Sequence, residues 1–435
     1  MHCLLRVAGE PRIGPVPPPL RTRAAVGIGR LAAGASRQLG RGAGEIVGGK
    51  IALRLAPASL AELAAPRFVA CVSATNGKTT TTRLLAAALG TRGPVVRNGG
   101  GANMAPGVLT ALATPPYDAP AVLEVDELHL PAVALATRPA VVALLNLSRD
   151  QLDRSSETRR IAALWRGLGA DLPTTTAIAN ADDPLVAWAA EGFADVVWVG
   201  AGQVWTSDAM VCPRSGHLLR RGDHTAAAAA GGTDWSCPGC GLARPTPTVT
   251  VDGLVAVTVD GARYPTALRL PGRCNVANAA VAVAAAARLG VDPVAALAAM
   301  ADVEAVAGRY ATVHLGGRDA RLLLAKNPAG WVEMLELLDA GPLRPVVIDF
   351  NARVADGRDP SWVWDVPADR LAGRPVLVAG DRAEDVVLRL AYAGIAATRH
   401  ASATAAVAAA PGNGPVDVLA TYTAFRDLLV ATGLA

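Results

Sequence analysis

Short apolar runs, each closed by polar turn residues and followed by a helix-like stretch, recur along the chain. Arg67 to Ser73 (RFVACVS) is such a run and predicts a buried strand. Thr79 to Leu89 then predicts a helix. Further strand-like runs lie at Ala121 to Val125 and Val141 to Leu145. This alternation predicts an α/β architecture built on a parallel sheet. The pattern breaks between about Val204 and Val251, in a segment that holds Cys212, Cys237, Cys240 and the Ala/Gly run Ala226 to Gly232, expected as a loose loop. The α/β texture resumes near Leu270. A second, smaller α/β unit is expected from around Arg321, with strands at Pro345 to Asp349 and Pro375 to Ala379. Ala401 to Ala410 predicts a plain helix. Upstream, Leu20 to Pro57 predicts a basic, amphipathic helical lead-in.

Composition narrows this picture. With 435 residues, 51% of them hydrophobic, the chain exceeds one core and predicts two or three domains. A net charge of +4 gives no reason to invoke nucleic acid. No apolar run reaches the roughly eighteen residues that span a bilayer. Met1 to Leu20 carries five prolines and no clean apolar segment, so it is expected to be a disordered extension rather than a signal peptide. Six cysteines in so long a chain do not make a disulfide framework, and a cytoplasmic protein is expected. Of 41 Lys plus Arg, only Lys50, Lys78 and Lys326 are lysines. Where Arg serves every generic positive charge, a retained lysine is a candidate for work a guanidinium cannot do.

Two motifs carry chemistry on their own residues. Ala74-Thr75-Asn76-Gly77-Lys78-Thr79-Thr80 lies between the first predicted strand and its helix. There a Gly-containing turn aims backbone N–H groups at phosphate, Lys78 can bridge outer phosphates, and the Thr79 hydroxyl can ligate Mg²⁺. The clustered carboxylates of Glu124-Val125-Asp126-Glu127, at a strand end, suit the same hard cation; the plainer alternative is a solvated acidic loop. Separately, Cys237-Pro238-Gly239-Cys240-Gly241 has the C-x-x-C-G shape of a zinc knuckle. Cys212-Pro213-Arg214-Ser215-Gly216 has the partner shape, with Ser215 in the fourth cysteine's place.

ATNGKTTTT resembles the ATP loop of Mur ligases, with Ala74 in place of the usual first glycine. NGGGANM (Asn98 to Met104), KNPAG (Lys326 to Gly330), DGRDPSW (Asp356 to Trp362), GDRAE (Gly380 to Glu384) and Tyr422-Thr423 resemble elements of one branch, the MurT subunits of lipid II isoglutaminyl synthase. Gln151 stands where amino-acid-adding relatives carry a metal-binding His, which favours this branch. The resemblance runs from about residue 20 to the end. It implies a Mur ligase-type central P-loop domain at 67–310, with a small zinc-ribbon-like insert at 204–251. A helical lead-in at 21–66 precedes it, and a smaller C-terminal α/β domain at 311–435 follows. Site roles carried over are nucleotide contacts by Thr75, Asn76, Gly77, Lys78, Thr79, Thr80, Asn146, Asp182, Asn275, Asn278 and Arg309. Mg²⁺ ligation falls to Thr79 and Glu124. Zinc falls to Cys212, Cys237 and Cys240, completed by His217, His224 or water; the alternative is an insert that folds without metal.

The implied reaction is ATP-dependent amidation of the α-carboxylate of D-glutamate in the lipid II stem peptide, at the inner face of the membrane. No glutaminase nucleophile is evident: Cys71 lies in a strand and Cys274 beside the Asn275 loop. The family supplies ammonia from a separate glutaminase, GatD. To its His the family subunit lends an aspartate, carried here to Asp359 with Asp356 as fallback. Rival expectations are an amino-acid-adding ligase of the muramyl-peptide or folylpolyglutamate type, and a silent nucleotide-binding scaffold for a glutaminase.

Overall fold

Continuous apolar runs, rather than alternating ones, mark strands covered on both faces. In the computed structural model every residue of β1 (Val69–Ser73), β3 (Ala121–Glu124), β4 (Val141–Leu144) and β5 (Thr176–Asn180) is buried. The structure describes residues 17–38, 45–99, 101–150, 158–222, 234–303 and 310–434. Residues 1–16 of the expected extension, Gly100, Gln151 to Arg154, His224, Ala226 to Gly232 and Gly308-Arg309 lie outside them.

Two compact units result, one of residues 1–147, 158–269 and 273–303, the other of 148–157, 270–272 and 304–435. In the first, the parallel strands run in the order β6 (Asp195–Gly200), β5, β4, β1, β3, β2 (Val96–Arg97), with β9 (Val249–Asp252) parallel beyond β6. Two antiparallel strands, β10 (Ala256–Val259) and β11 (Ala262–Pro265), complete this edge, so the sheet is not parallel throughout. The pattern of apolar runs missed this hairpin because polar residues interrupt its strands and β11 is mostly exposed. Its signal lay in the turns: Asp252-Gly253 and Asp260-Gly261, with positive φ at Gly253, Asp260 and Gly261. The cysteine insert contributes a small antiparallel pair, β7 (Arg220–Arg221) with β8 (Trp235–Ser236).

Helices cover both faces. The lead-in forms α1 (Leu20–Gln38), α2 (Glu45–Leu55) and α3 (Ser59–Ala64). Helix α1 crosses α2 at a glycine pair: a Cβ on Gly29 would lie 2.5 Å from the Gly48 carbonyl oxygen. Helix α4 (Lys78–Gly90) follows β1, α5 (Ala105–Leu112) follows β2, α6 (Leu130–Thr137) follows β3 and α7 (Thr158–Asp171) follows β4. Trp165 and Leu168 of α7 join Leu123, Leu144, Leu109 and Leu112 in one aliphatic core. Helices α8 (Pro184–Ala190), α9 (Arg273–Arg288) and α10 (Pro293–Ala301) complete this unit.

The second unit begins earlier than the apolar runs imply. A β-hairpin of β12 (Tyr310–Leu315) and β13 (Arg318–Leu324) turns at Gly316-Gly317. The remaining strands are β14 (Val346–Asp349), β15 (Val376–Ala379), β16 (Ala397–Arg399) and β17 (Val416–Ala420), in the order β12-β13-β17-β14-β15-β16. Helices α11 (Pro328–Asp339) and α12 (Ala383–Tyr392) pack Trp331, Leu335 and Val386 on one face. Helices α13 (Ala403–Ala409) and α14 (Tyr422–Ala431) pack Val407 and Phe425 on the other. The chain leaves the neighbouring strands β14 and β17 toward opposite faces, which opens a crevice at their carboxyl ends.

Candidate functional site

At the carboxyl end of β1 the chain turns directly into α4. Gly77 is the N-cap, with φ +88°, a conformation that costs a side-chain-bearing residue strain. A Cβ there would also lie 2.6 Å from Asn278 Oδ1. Glycine is thus required twice, by backbone conformation and by the approach of α9. The first helical bond runs from Thr81 N–H to the Gly77 carbonyl. No side chain caps the helix and its first turn has no acidic residue, so its positive end is left for an anion.

Asn146 fixes the loop. Its amide donates to the Asn76 carbonyl and accepts from the Asn76 N–H, both at 2.9 Å, and its own carbonyl accepts from Thr75 N–H at 3.0 Å. The side chain expected at the nucleotide therefore acts on the loop's backbone. Asn278 stands over Gly77, with Asn275 one turn earlier at 3.5 Å from its amide. Thr79 is half-buried in the first turn of α4, and Thr80 is buried behind it.

The adjacent strand β3 ends at Glu124, paired in register with Val72 of β1. Asn98 clamps its backbone both ways, accepting from Glu124 N–H at 2.8 Å and donating to its carbonyl at 2.7 Å. Asp126 N–H reaches the Asn103 carbonyl at 2.9 Å, so both asparagines of NGGGANM fasten that loop to the carboxylate segment. Glu127 is no solvated loop residue. Its carboxylate lies 2.8 Å from Lys78 Nζ, with the two side chains 12% and 7% exposed. Lys78 Nζ also donates to the Ala74 carbonyl, and the backbone of Glu127 is held by the buried Trp165 indole at 2.9 Å. Sequence reading had no means to find this pair across 49 positions. Its only hint was that so rare a lysine needs a counter-charge when buried.

Asp182 stands just beyond the end of β5. Its fully buried carboxylate accepts from Gly202 N–H at 2.7 Å and from Arg244 Nε at 2.6 Å, so both oxygens hold the loop itself. Its neighbour Asp183 caps α8 and also accepts from Leu147 N–H at 2.9 Å; burial raises its pKa to about 6. Arg309 falls outside the described residues.

In the insert, the sulfurs of Cys212, Cys237 and Cys240 lie within 4.8 Å of one another. Ser215 Oγ sits 3.2 Å from Cys237 Sγ, and His217 Nδ1 3.2 Å from Ser215 Oγ. The ring of His217 occupies the space a Cβ on Gly239 would fill, 2.3 Å from Nδ1. Hydrogen bonding to Ser215 pulls the Cys237 thiol down to about 6, while burial raises that of Cys212. Three sulfurs with a hydroxyl and an imidazole beside them form a donor set that suits tetrahedral zinc. Cys71, by contrast, is fully buried with its thiol pushed up to about 12, which makes it inert as a nucleophile.

In the second unit, Asp356 and Asp359 have different settings. Asp356 is buried and accepts from Thr423 N–H at 2.7 Å, Thr423 Oγ1 at 2.6 Å and Arg353 N–H at 3.0 Å, which ties the loop to the start of α14. Asp359 is only half-buried and accepts from Ser361 N–H at 2.9 Å; this bonding holds its carboxyl below the usual range. Lys326 pairs with Asp150 of the same unit, and Asn327 caps α11 through Gly330 N–H at 2.8 Å. Lys50 is exposed on α2.

Comparison with known proteins places these features. The Mur ligase middle domain family matches residues 72–216, and the MurT ligase C-terminal family matches 324–425. The MurT subunit of lipid II isoglutaminyl synthase (glutamine-hydrolyzing) from Streptococcus pneumoniae (strain ATCC BAA-255 / R6) is 31% identical, over 95% of this chain and 98% of its own length. Among solved structures, a pseudomurein peptide ligase type C from Methanothermus fervidus aligns with a TM-score of 0.64 at 20% identity, covering 84% of this chain and 79% of that one. The MurF ligase of Thermotoga maritima in complex with ADP aligns at 0.60 and 16% identity, covering 87% and 83%. At such identities these structures speak for the Mur ligase fold alone.

Proposed function

The chain belongs to the MurT family of Mur ligase-fold subunits, and from that membership we propose that it amidates the D-glutamate α-carboxylate of the lipid II stem peptide. ATP is the activating substrate, and ammonia comes from a separate GatD-type glutaminase. The observation that carries the ligase reading is the uncapped start of α4 at Gly77, with Lys78 and the Glu124 strand end beside it.

A carboxylate cannot expel oxide, so it must be activated before nitrogen attacks. Its oxygen attacks the terminal phosphorus of ATP, and the bond to ADP breaks. Ammonia then attacks the carbonyl carbon, the carbon–oxygen bond to phosphate breaks, and nitrogen sheds a proton as the amide forms. The start of α4 and the loop from Thr75 to Thr80 are suited to hold the phosphates, with Asn146 fixing the loop's shape and Asn278 close against Gly77. Lys78 is placed to balance negative charge on the transferred group. Thr79 and Glu124 would hold Mg²⁺, which when bound shields the phosphate charge. Asp182 supports the site through the loop it braces. Lys78→Ala should abolish amidation with either glutamine or ammonia while leaving glutaminase binding intact; retained ammonia-driven amidation would overturn the ligase reading.

Asp359 is the aspartate suited to reach a glutaminase His, because Asp356 is enclosed and fully hydrogen-bonded whereas Asp359 is reachable and stays ionised. An external carboxylate there would orient the imidazole and stabilise its charged form. Zinc in the insert would be structural, held by Cys212, Cys237 and Cys240 with His217 next to the fourth position.

A further inference from the structure

Helix α1 buries the wrong residues for an ordinary surface helix. Its inward face is built mostly of small side chains, Thr22, Ala25, Gly29, Ala33 and Ser36 beside Val26, and closes on α2 through the Gly29–Gly48 contact. Its large apolar residues point outward: Leu20 is 79% exposed, Leu31 77% and Ile28 50%. Successive residues of an α-helix turn by about 100°. Leu20, Leu31 and Ile28 therefore share one outward arc of about 100° with Ala24 and Gly27. Arg21 lies on one margin of that arc and Arg23 with Arg30 on the other, all exposed. The helix carries no acidic residue along its length.

We propose that this face of α1 is a membrane-surface contact that seats the protein on anionic phospholipid. An outward apolar stripe with arginines on both margins is the arrangement in which a helix lies in the headgroup plane, its stripe among acyl chains and its cations at phosphates. Arg21 and Arg30 are also held in place, donating to the carbonyls of Leu55 at 3.0 Å and Ala113 at 2.7 Å, so these two cations are pre-positioned at the margins. No described helix is long and apolar enough to cross a membrane, so the contact lies on the surface. A protein partner would match such a stripe with its own apolar residues but would have no need of cations along both margins. The choice of lipid rests in part on the lipid-linked substrate proposed above.

The test is flotation of the full chain, with its glutaminase, on vesicles of phosphatidylglycerol and phosphatidylcholine, against vesicles of phosphatidylcholine alone. Binding is expected only to the anionic vesicles and should weaken with salt. Leu31→Ser should cost roughly tenfold and Arg23→Glu roughly tenfold in vesicle affinity. Both variants should amidate a soluble, lipid-free stem-peptide substrate like the unaltered protein, which also certifies their fold. No vesicle binding, or equal binding by the variants, would overturn the proposal. So would loss of a dimer or of the glutaminase complex in these variants without any lipid effect, since another protein would then cover the stripe. Vesicle binding without amidation of any substrate would instead refute the ligase reading and leave the surface standing.

Discussion

The Lys78–Glu127 pair makes a prediction that separates nucleotide binding from folding. Without nucleotide, the Lys78 ammonium is buried at 7% side-chain exposure and pairs with the Glu127 carboxylate at 2.8 Å. Glu127→Gln keeps the shape and removes the charge. Deleting one partner of a buried pair leaves the other uncompensated, at a cost of about 3 kcal/mol. Two carbonyls, those of Ala74 and Thr75, still accept from Lys78 Nζ and should hold the loss to the lower end, about 2 kcal/mol. A bound phosphate supplies the missing anion, so the loss with ATP should fall below about 1 kcal/mol. By linkage the difference appears as affinity: one to two kcal/mol makes ATP bind about five- to thirtyfold tighter to the variant. The assay is thermal unfolding with and without Mg-ATP, together with calorimetric titration of ATP. Equal destabilisation in both conditions, or weaker ATP binding by the variant, would refute the view that Glu127 is the lysine's stand-in counter-ion. It would point instead to a direct role for this carboxylate at the metal.

Three further outcomes follow. Asp359→Asn should abolish glutamine-driven amidation and spare ammonia-driven amidation, whereas Asp356→Asn should lower the thermal midpoint because it loosens the loop from α14; loss of both activities in the Asp359 variant would refute the interface role. Asp349, at the crevice between β14 and β17, has its pKa raised to about 6 by burial, with Asp381, Asp427 and Asp356 adding to the effect and Arg353 opposing it. A raised folded-state pKa means that the stability it contributes is present below about pH 4 and is lost as pH rises to about 6. Asp349→Asn should therefore raise stability at pH 7, by at most about 3 kcal/mol, and flatten its decline between about pH 4 and 6 in denaturant titrations. Metal analysis should find near one zinc per chain; His217→Ala should weaken zinc retention against a chelator and Ser215→Cys should strengthen it, and a metal-free, folded wild-type chain would sink that assignment.

The family, the order of its motifs and the strand-loop-helix setting of Lys78 were all legible in the sequence. Each depends on local contrast: an apolar run, a Gly turn, a helix start. Even the cysteine cluster was readable, because a C-x-x-C turn brings its own two sulfurs together. The second unit's early start and the β9–β11 edge were lost to run-based reading, since part-exposed strands with interspersed polar residues leave a weaker trace than buried parallel ones. Tertiary structure alone decided which partner each polar residue takes. Asn146 and Asp182 became braces for loops because backbone N–H and carbonyl groups converge on them from distant positions. Asp356 and Asp359, three residues apart and chemically alike, were parted by burial. Glu127 met Lys78 only because β1 and β3 lie side by side. Sequence sets the chemistry each position can offer, but burial and neighbours choose among those offers, since a buried charge or amide must find a partner wherever the fold brings one within reach.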